Sequence, residues 1–121
     1  MVKLYVYGSL RKGGYNFDRF KNGNNLNYIK TEVIKGWSLY SFGSYPAIIP
    51  GDNSLTVDIL EADKDTYENI VDMELGANYK IDTVNGYPIF VYNDNEIDKY
   101  SPLVYSGDWI KYKSNEIKSK Y

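Results

Sequence analysis

Glu74 closes an apolar stripe. Between Lys64 and Leu75, Tyr67, Ile70 and Val71 fall at i, i+3 and i+4 with Glu74 at i+7, so a helix here presents three apolar side chains and one carboxyl on one face. A carboxyl at the inward end of such a stripe either turns to water at the helix end or sits in a partly desolvated pocket. Desolvation penalises the charged form, and a helix C-terminus opposes negative charge, so both raise the pKa toward the range where a glutamate can take up and return a proton. Asp72 is the rival carboxyl. Each residue turns a side chain by about 100° around a helix, and this leaves Asp72 off the stripe and the weaker candidate.

The second group with chemical potential is the segment Tyr5-Val6-Tyr7-Gly8-Ser9-Leu10-Arg11. A glycine directly after a strand lets successive backbone N–H groups turn outward and approach a ligand, forming a concavity suited to anions, although a plain tight turn has the same composition. Ser9 has no histidine to activate it as a nucleophile. Lys12 is the alternative activator, with nothing else to support it, so Ser9 is read as a backbone and hydroxyl binding group.

What the chain lacks narrows the chemistry further. Its 121 residues include no Cys and no His, which removes disulfides, thiolate and imidazole nucleophiles, Ser-His-Asp triads and ordinary zinc or copper sites. Any acid-base catalyst must be a carboxyl, a lysine or a tyrosine. With 14 basic against 16 acidic residues and a pI of about 5.1, there is no electrostatic footprint for nucleic acid, and none is expected as a partner. No apolar run approaches the ~20 residues of a membrane span, nor does the start resemble a signal peptide, so a soluble, cytoplasmic protein without membrane contact is expected. The 14 tyrosines stand against 4 phenylalanines; each buried tyrosine hydroxyl needs a partner.

Most of the elements that must position these groups read as strands. Val2, Leu4 and Val6 alternate with Lys3, Tyr5 and Tyr7, the period of a strand with one face in the core. A short helix is expected at about Phe17 to Lys21, followed by a break at Asn22-Gly23-Asn24-Asn25. Strand-like residues run from Leu26 to Tyr40, with Gly36 marking a bulge or bend. Ser44 to Ile49 reads as a short strand with Pro46 at an edge or start, and Pro50-Gly51-Asp52-Asn53 as a turn reversing the chain into Leu55 to Leu60. Asp63 or Asp65 can cap the helix of residues 64 to 75, with Glu68 as capping-box partner of Asp65 and Gly76 as its left-handed terminator. Asn85-Gly86 predicts a type I′ hairpin between Tyr79–Val84 and Tyr87–Tyr92. A short apolar piece at Leu103 to Tyr105 follows, and the Lys-rich end from about residue 111 is expected to be frayed or solvated. Many short strands with one clear helix predict an α+β, mostly β, single domain over residues 1–121, in the form of a small closed barrel with one main helix and a short second helix packed outside.

The segment Tyr5 to Gly13 resembles the N-terminal signature of the γ-glutamylcyclotransferase-like family, a strand followed by Tyr-Gly-Ser/Thr-Leu and a nearby glycine. Tyr45-Pro46-Ala47-Ile48-Ile49, the helix end Val71 to Tyr79 and the following strand agree in order, so the resemblance covers most of residues 3 to 92. It implies a small β-barrel with flanking helices. It also implies that Glu74 is the general acid and base, and that Tyr7, Gly8, Ser9 and Leu10 form the substrate loop. Many relatives have Leu-Asp further upstream and a glycine directly after the glutamate, whereas here Asp72 lies two residues before Glu74, and Leu75 separates Glu74 from Gly76. The implied reaction is cleavage of a γ-glutamyl amide by its own α-amine, releasing 5-oxoproline and an amine or amino acid, with no cofactor. Tyr7, Tyr45 and Tyr79 are candidate hydroxyl contacts, each equally well explained as ordinary barrel packing. The alternatives are a non-catalytic small-molecule-binding domain on the same fold, for which the altered spacing speaks, and a structural or interaction protein using exposed tyrosines.

Overall fold

A computed structural model describes residues 1–22 and 25–119; the break expected at Gly23 and Asn24 lies outside the described residues. In chain order the elements are β1 (Val2–Val6), α1 (Tyr15–Lys21), β2 (Leu26–Ser41), β3 (Pro46–Ala62), α2 (Lys64–Gly76), β4 (Tyr79–Val84), β5 (Tyr87–Tyr92), a short 3₁₀ turn (Ile97–Lys99) and α3 (Trp109–Ser119). The proportions match an α+β, mostly β reading.

β1, β3 and β2 form one antiparallel sheet in that order, and β4 and β5 form a second. β5 packs beside β1, but no hydrogen-bonded ladder joins them, and no closed barrel is found among the described residues. The C-terminal half of β3 serves both neighbours: Leu60 pairs with Leu4 of β1 and with Tyr28 of β2.

The expected turn at Pro50-Gly51-Asp52-Asn53 does not form. β3 runs straight through it, because the ladder with β2 continues on either side, from Trp37↔Pro50 to Lys35↔Ser54, and the unequal spacing is absorbed as a bulge where Gly36 takes φ +93°. Gly51 is needed for a different reason: a Cβ there would meet Ser38 Oγ at 2.0 Å. The chain reverses instead between Ser41 and Pro46, where Gly43 has φ +84° and Pro46 opens β3.

β1 also departs from the one-faced strand. Leu4, Tyr5, Val6 and Tyr7 are all buried, since alternate side chains enter two different cores. Leu4, Val6, Leu60 and Phe90 join Phe17 and Phe20 of α1 and Ile70 of α2 in one core. Tyr5, Tyr7, Val57, Ile59, Ile89 and Val91 join Val104 and Trp109 in the other. Full burial of a side chain such as Ile70 is worth roughly 1.5–3 kcal/mol, so α2 is held to the strands by its stripe more than by helix propensity.

Asp63 caps α2, its carboxylate accepting the Thr66 N–H at 2.8 Å; the Asp65 and Glu68 pairing is not used. Gly76 stays within the helix, and the left-handed residue is Asn78, at φ 73°, a conformation asparagine tolerates. The Asn85-Gly86 turn forms as expected, with φ 52° and 82°. Leu103 bridges to Tyr40, and the Lys-rich end expected to be frayed or solvated is helical through Ser119 in α3, with Lys111, Ser114 and Asn115 exposed and the first turn anchored by buried Trp109. No helix among the described residues is long and apolar enough to cross a membrane.

Candidate active site

α2 ends against the loop that follows β1, and a pocket opens between them, with about 570 Å³ of empty space counted out to its mouth. Glu74 lines one side, and Tyr7, Gly8, Ser9 and Leu10 line the other, so the structure brings together all five sequence-predicted residues. Asp72 is exposed on α2 and is not part of the wall. Lys12 is outside the pocket too, its ammonium 4.8 Å from the centre of the Tyr28 ring, which leaves Ser9 without a basic partner there.

Burial pushes the Glu74 carboxyl up from its ordinary value of 4.5 to about 7. The lining explains why nothing pulls it back. Met73, Pro46 and Phe90 supply apolar surface, and among the described residues no lysine or arginine lines the pocket to stabilise the carboxylate. Near neutral pH this carboxyl is therefore poised between its two forms, the condition for a group that must both accept and donate a proton.

The loop is held by its carbonyls. Arg11 N–H donates to the Gly8 carbonyl at 3.0 Å, and Phe17 N–H donates to the Ser9 carbonyl at 3.0 Å. Among the described residues no protein acceptor takes the N–H of Gly8, Ser9 or Leu10, and all three residues line the pocket. Gly8 is required by close approach, since a Cβ there would lie 2.6 Å from Pro46 Cγ. Beyond the loop, Arg11 is buried, with Nη1 donating to Asp108 at 2.8 Å and Nε 3.4 Å from Asp58 without a hydrogen bond; Asp58 in turn accepts from the Lys12 N–H and Thr31 Oγ1, each at 2.8 Å.

Two of the three candidate tyrosine hydroxyls are already committed. Tyr7 donates to the Phe90 carbonyl at 2.6 Å, tying the end of β1 to β5, and Tyr79 donates to the Pro46 carbonyl. Both phenols are raised above their ordinary value, foremost by burial and further by the charge of Glu74. They shape the pocket as walls. Tyr45 stands at the pocket 65% exposed.

Sequence reasoning missed Asn16, Met73, Pro46 and Phe90 as pocket residues. Met73, one position before Glu74, lay outside the stripe. Phe90 had no signal at all, because only the docking of β5 beside β1 brings it to the site. For Asn16 the signal was a polar side chain just inside a helix that starts directly after a glycine-rich loop.

A model of the γ-glutamyl cyclotransferase, AIG2-like family matches residues 4–111 of the chain. A Pyrococcus horikoshii protein provisionally named a γ-glutamylcyclotransferase is 34% identical over 80 residues, covering 66% of each chain. Its crystal structure superposes with a TM-score of 0.80, at 26% identity, over 100% of both chains. A Vibrio cholerae protein with the same provisional name is 27% identical over 109 residues, 88% of this chain and 93% of its own. The solution structure of YtfP from Escherichia coli shares the fold, with a TM-score of 0.69 and 24% identity over 93% of this chain and 99% of that one. The family match spans β1, the loop, α2 and the strands that enclose the pocket, and the chain belongs to the γ-glutamyl cyclotransferase, AIG2-like family.

Proposed function

We propose that the protein cleaves γ-glutamyl amides by intramolecular cyclisation, with Glu74 moving the protons. The observation that carries this reading is the pocket in which a carboxyl raised to about 7 faces a loop of open backbone donors. Glu74 takes one proton from the substrate's α-ammonium, and the freed amine attacks the γ-carbonyl carbon to form the new C–N bond of a five-membered ring. Glu74 returns that proton to the leaving nitrogen as the amide C–N bond breaks. The ring nitrogen loses a second proton, and the released amine takes up one in its place. The products are 5-oxoproline and an amine or amino acid.

Because the nucleophile belongs to the substrate, a site without Cys or His is sufficient. A well-oriented ring closure carries an effective molarity on the order of 10⁵ M or more, and one carboxyl can supply the proton transfers. The N–H groups of Gly8, Ser9 and Leu10 would hold the α-carboxylate or the developing oxyanion. A cytoplasmic, soluble protein acting on a small-molecule γ-glutamyl substrate, on a single domain of 121 residues, completes the proposal.

The test is to incubate the purified protein with a panel of γ-glutamyl dipeptides and γ-glutamylamines and to measure 5-oxoproline. Product that disappears in Glu74→Gln is the expected result. Failure to form product from any member of the panel, with the ligands still bound, would establish the non-catalytic binding domain instead.

A further inference from the structure

Ser9 is gripped twice by the first turn of α1. The Phe17 N–H donates to its carbonyl at 3.0 Å, and Asn16 Nδ2 donates to its Oγ at 2.7 Å. Gly14, just before the helix, allows this approach, since a Cβ there would lie 2.2 Å from the Ser9 carbonyl oxygen. The second bond has a directional consequence. A serine hydroxyl carries one proton and two lone pairs, so when Oγ accepts from Asn16 its own O–H must find an acceptor elsewhere. No protein acceptor among the described residues takes it, and Ser9 and Asn16 both line the pocket that Glu74 enters.

The Asn16 amide is only half satisfied in the empty protein. Its Oδ1 is buried and makes no hydrogen bond. With Nδ2 on Ser9 Oγ the amide leaves Oδ1 as its one buried polar atom without a partner, a cost to the unliganded fold.

We propose that Asn16 is a positioning residue that turns the Ser9 hydroxyl proton into the pocket, where it donates to the α-carboxylate of the γ-glutamyl substrate. This rests on the cyclisation reading above. Among the described residues the pocket offers that carboxylate no lysine or arginine, so its recognition depends on neutral donors, and a hydroxyl fixed in the donating sense adds to the open N–H groups of the loop. The contact is the same in the ground and transition states, because the α-carboxylate takes no part in bond making. It therefore acts on KM rather than on kcat.

The experiment uses a γ-glutamyl amide that the wild-type protein turns over, with Ser9→Ala, Asn16→Ala, Asn16→Asp and the Ser9→Ala/Asn16→Ala double variant. Each alanine variant is expected to raise KM by about tenfold or more with kcat within about threefold, the size of one hydrogen bond to a charged group. The double variant should be no worse than Ser9→Ala alone, because Asn16 acts through Ser9. Asn16→Asp, nearly isosteric, should raise KM further: the introduced carboxylate accepts the Ser9 proton and repels the substrate's carboxylate. Thermal unfolding supplies the readout that a packing role would move, and Asn16→Ala should leave the midpoint unchanged or higher. Additive losses in the double variant, a normal KM in Asn16→Asp, or a KM change that merely follows a lowered unfolding midpoint would overturn the inference. A wild-type protein inactive on every γ-glutamyl amide would overturn the cyclisation reading and this inference with it, whereas turnover with additive losses overturns this inference alone.

Discussion

Glu74 and Tyr79 share a pocket wall, and the carboxylate's charge adds to burial in holding the Tyr79 phenol above its ordinary value. Tyr7 is held up in the same way, by burial first and then by Tyr79 and Glu74. Both phenols thus stay protonated as donors to the carbonyls of Pro46 and Phe90 at any pH at which the protein functions. Glu74, raised to about 7, is the wall's carboxyl that titrates near neutrality.

The pH profile of catalysis follows. Glu74 must be ionised to take the α-ammonium proton, so kcat/KM should rise with pH through an apparent pKa of about 7. Glu74→Gln should lose the limb together with about 10²-fold or more of the rate, the usual contribution of a general acid-base group. Initial rates of 5-oxoproline formation from pH 5 to 9 check both. A limb retained in Glu74→Gln would assign the proton transfer to another group.

The same residue should make the protein less stable as pH rises. Its folded pKa of about 7 lies above the ordinary 4.5, so between these values the native state holds a proton that the unfolded chain has released. Stability therefore falls as pH increases from about 4.5 to about 7, and the loss persists above that. Glu74→Gln, though far slower, should be more stable at pH 8, by up to about 3 kcal/mol, with the difference vanishing near pH 4. Urea unfolding of the two proteins at pH 4 and pH 8 measures it.

Gly8→Ala should disturb the pocket through contact rather than through backbone strain. The added Cβ meets the rigid Pro46 ring at 2.6 Å, so the β1 loop and the start of β3 must separate. An overpacked contact of this kind costs about 1–3 kcal/mol. Urea unfolding should show that loss, and kcat/KM should fall even under conditions where the variant is fully folded. Unchanged values of both would mean that the loop and β3 are free to part.

Arg11→Met should be among the more damaging substitutions near the loop. Asp58 is 1% exposed, and removing the guanidinium leaves a buried carboxylate with only the Lys12 N–H and the Thr31 hydroxyl. Breaking a buried ion pair from one side costs about 3–5 kcal/mol. Arg11→Met combined with Asp58→Leu should recover part of that loss in urea unfolding, since neither charge then stays behind. A double variant no more stable than Arg11→Met alone would show that Asp58 does not depend on Arg11.

Much of the site could be read from the sequence because its signals are local. The stripe through Tyr67, Ile70 and Val71 pointed Glu74 inward, Asn85-Gly86 specified its hairpin, and the Tyr7 to Leu10 loop was visible as a glycine break after a strand. Each depends on residues within a turn or two of one another, where dihedral preference and side-chain period are decided. The misreadings were of another kind. Pro50 to Asn53 has the composition of a turn, yet pairing with β2 on both sides kept β3 extended; Gly76 was well suited to end α2, but Asn78 took the left-handed position. β1 looked one-faced because Tyr5 and Tyr7 can be solvated, and it became two-faced once β5, α2 and α3 supplied two cores.

By itself the sequence determined which residue types are present to do chemistry, which of them face inward along their own element, and which family the chain resembles. Tertiary structure decided what surrounds them: a pocket whose burial lifts Glu74 to about 7, carbonyl partners that take up the hydroxyls of Tyr7 and Tyr79, and the Asn16 amide laid against Ser9. The physical reason is range. Dihedral preferences and periodicity act between near neighbours in the chain, whereas desolvation, hydrogen-bond satisfaction and charge coupling depend on which distant segments are packed within a few ångströms.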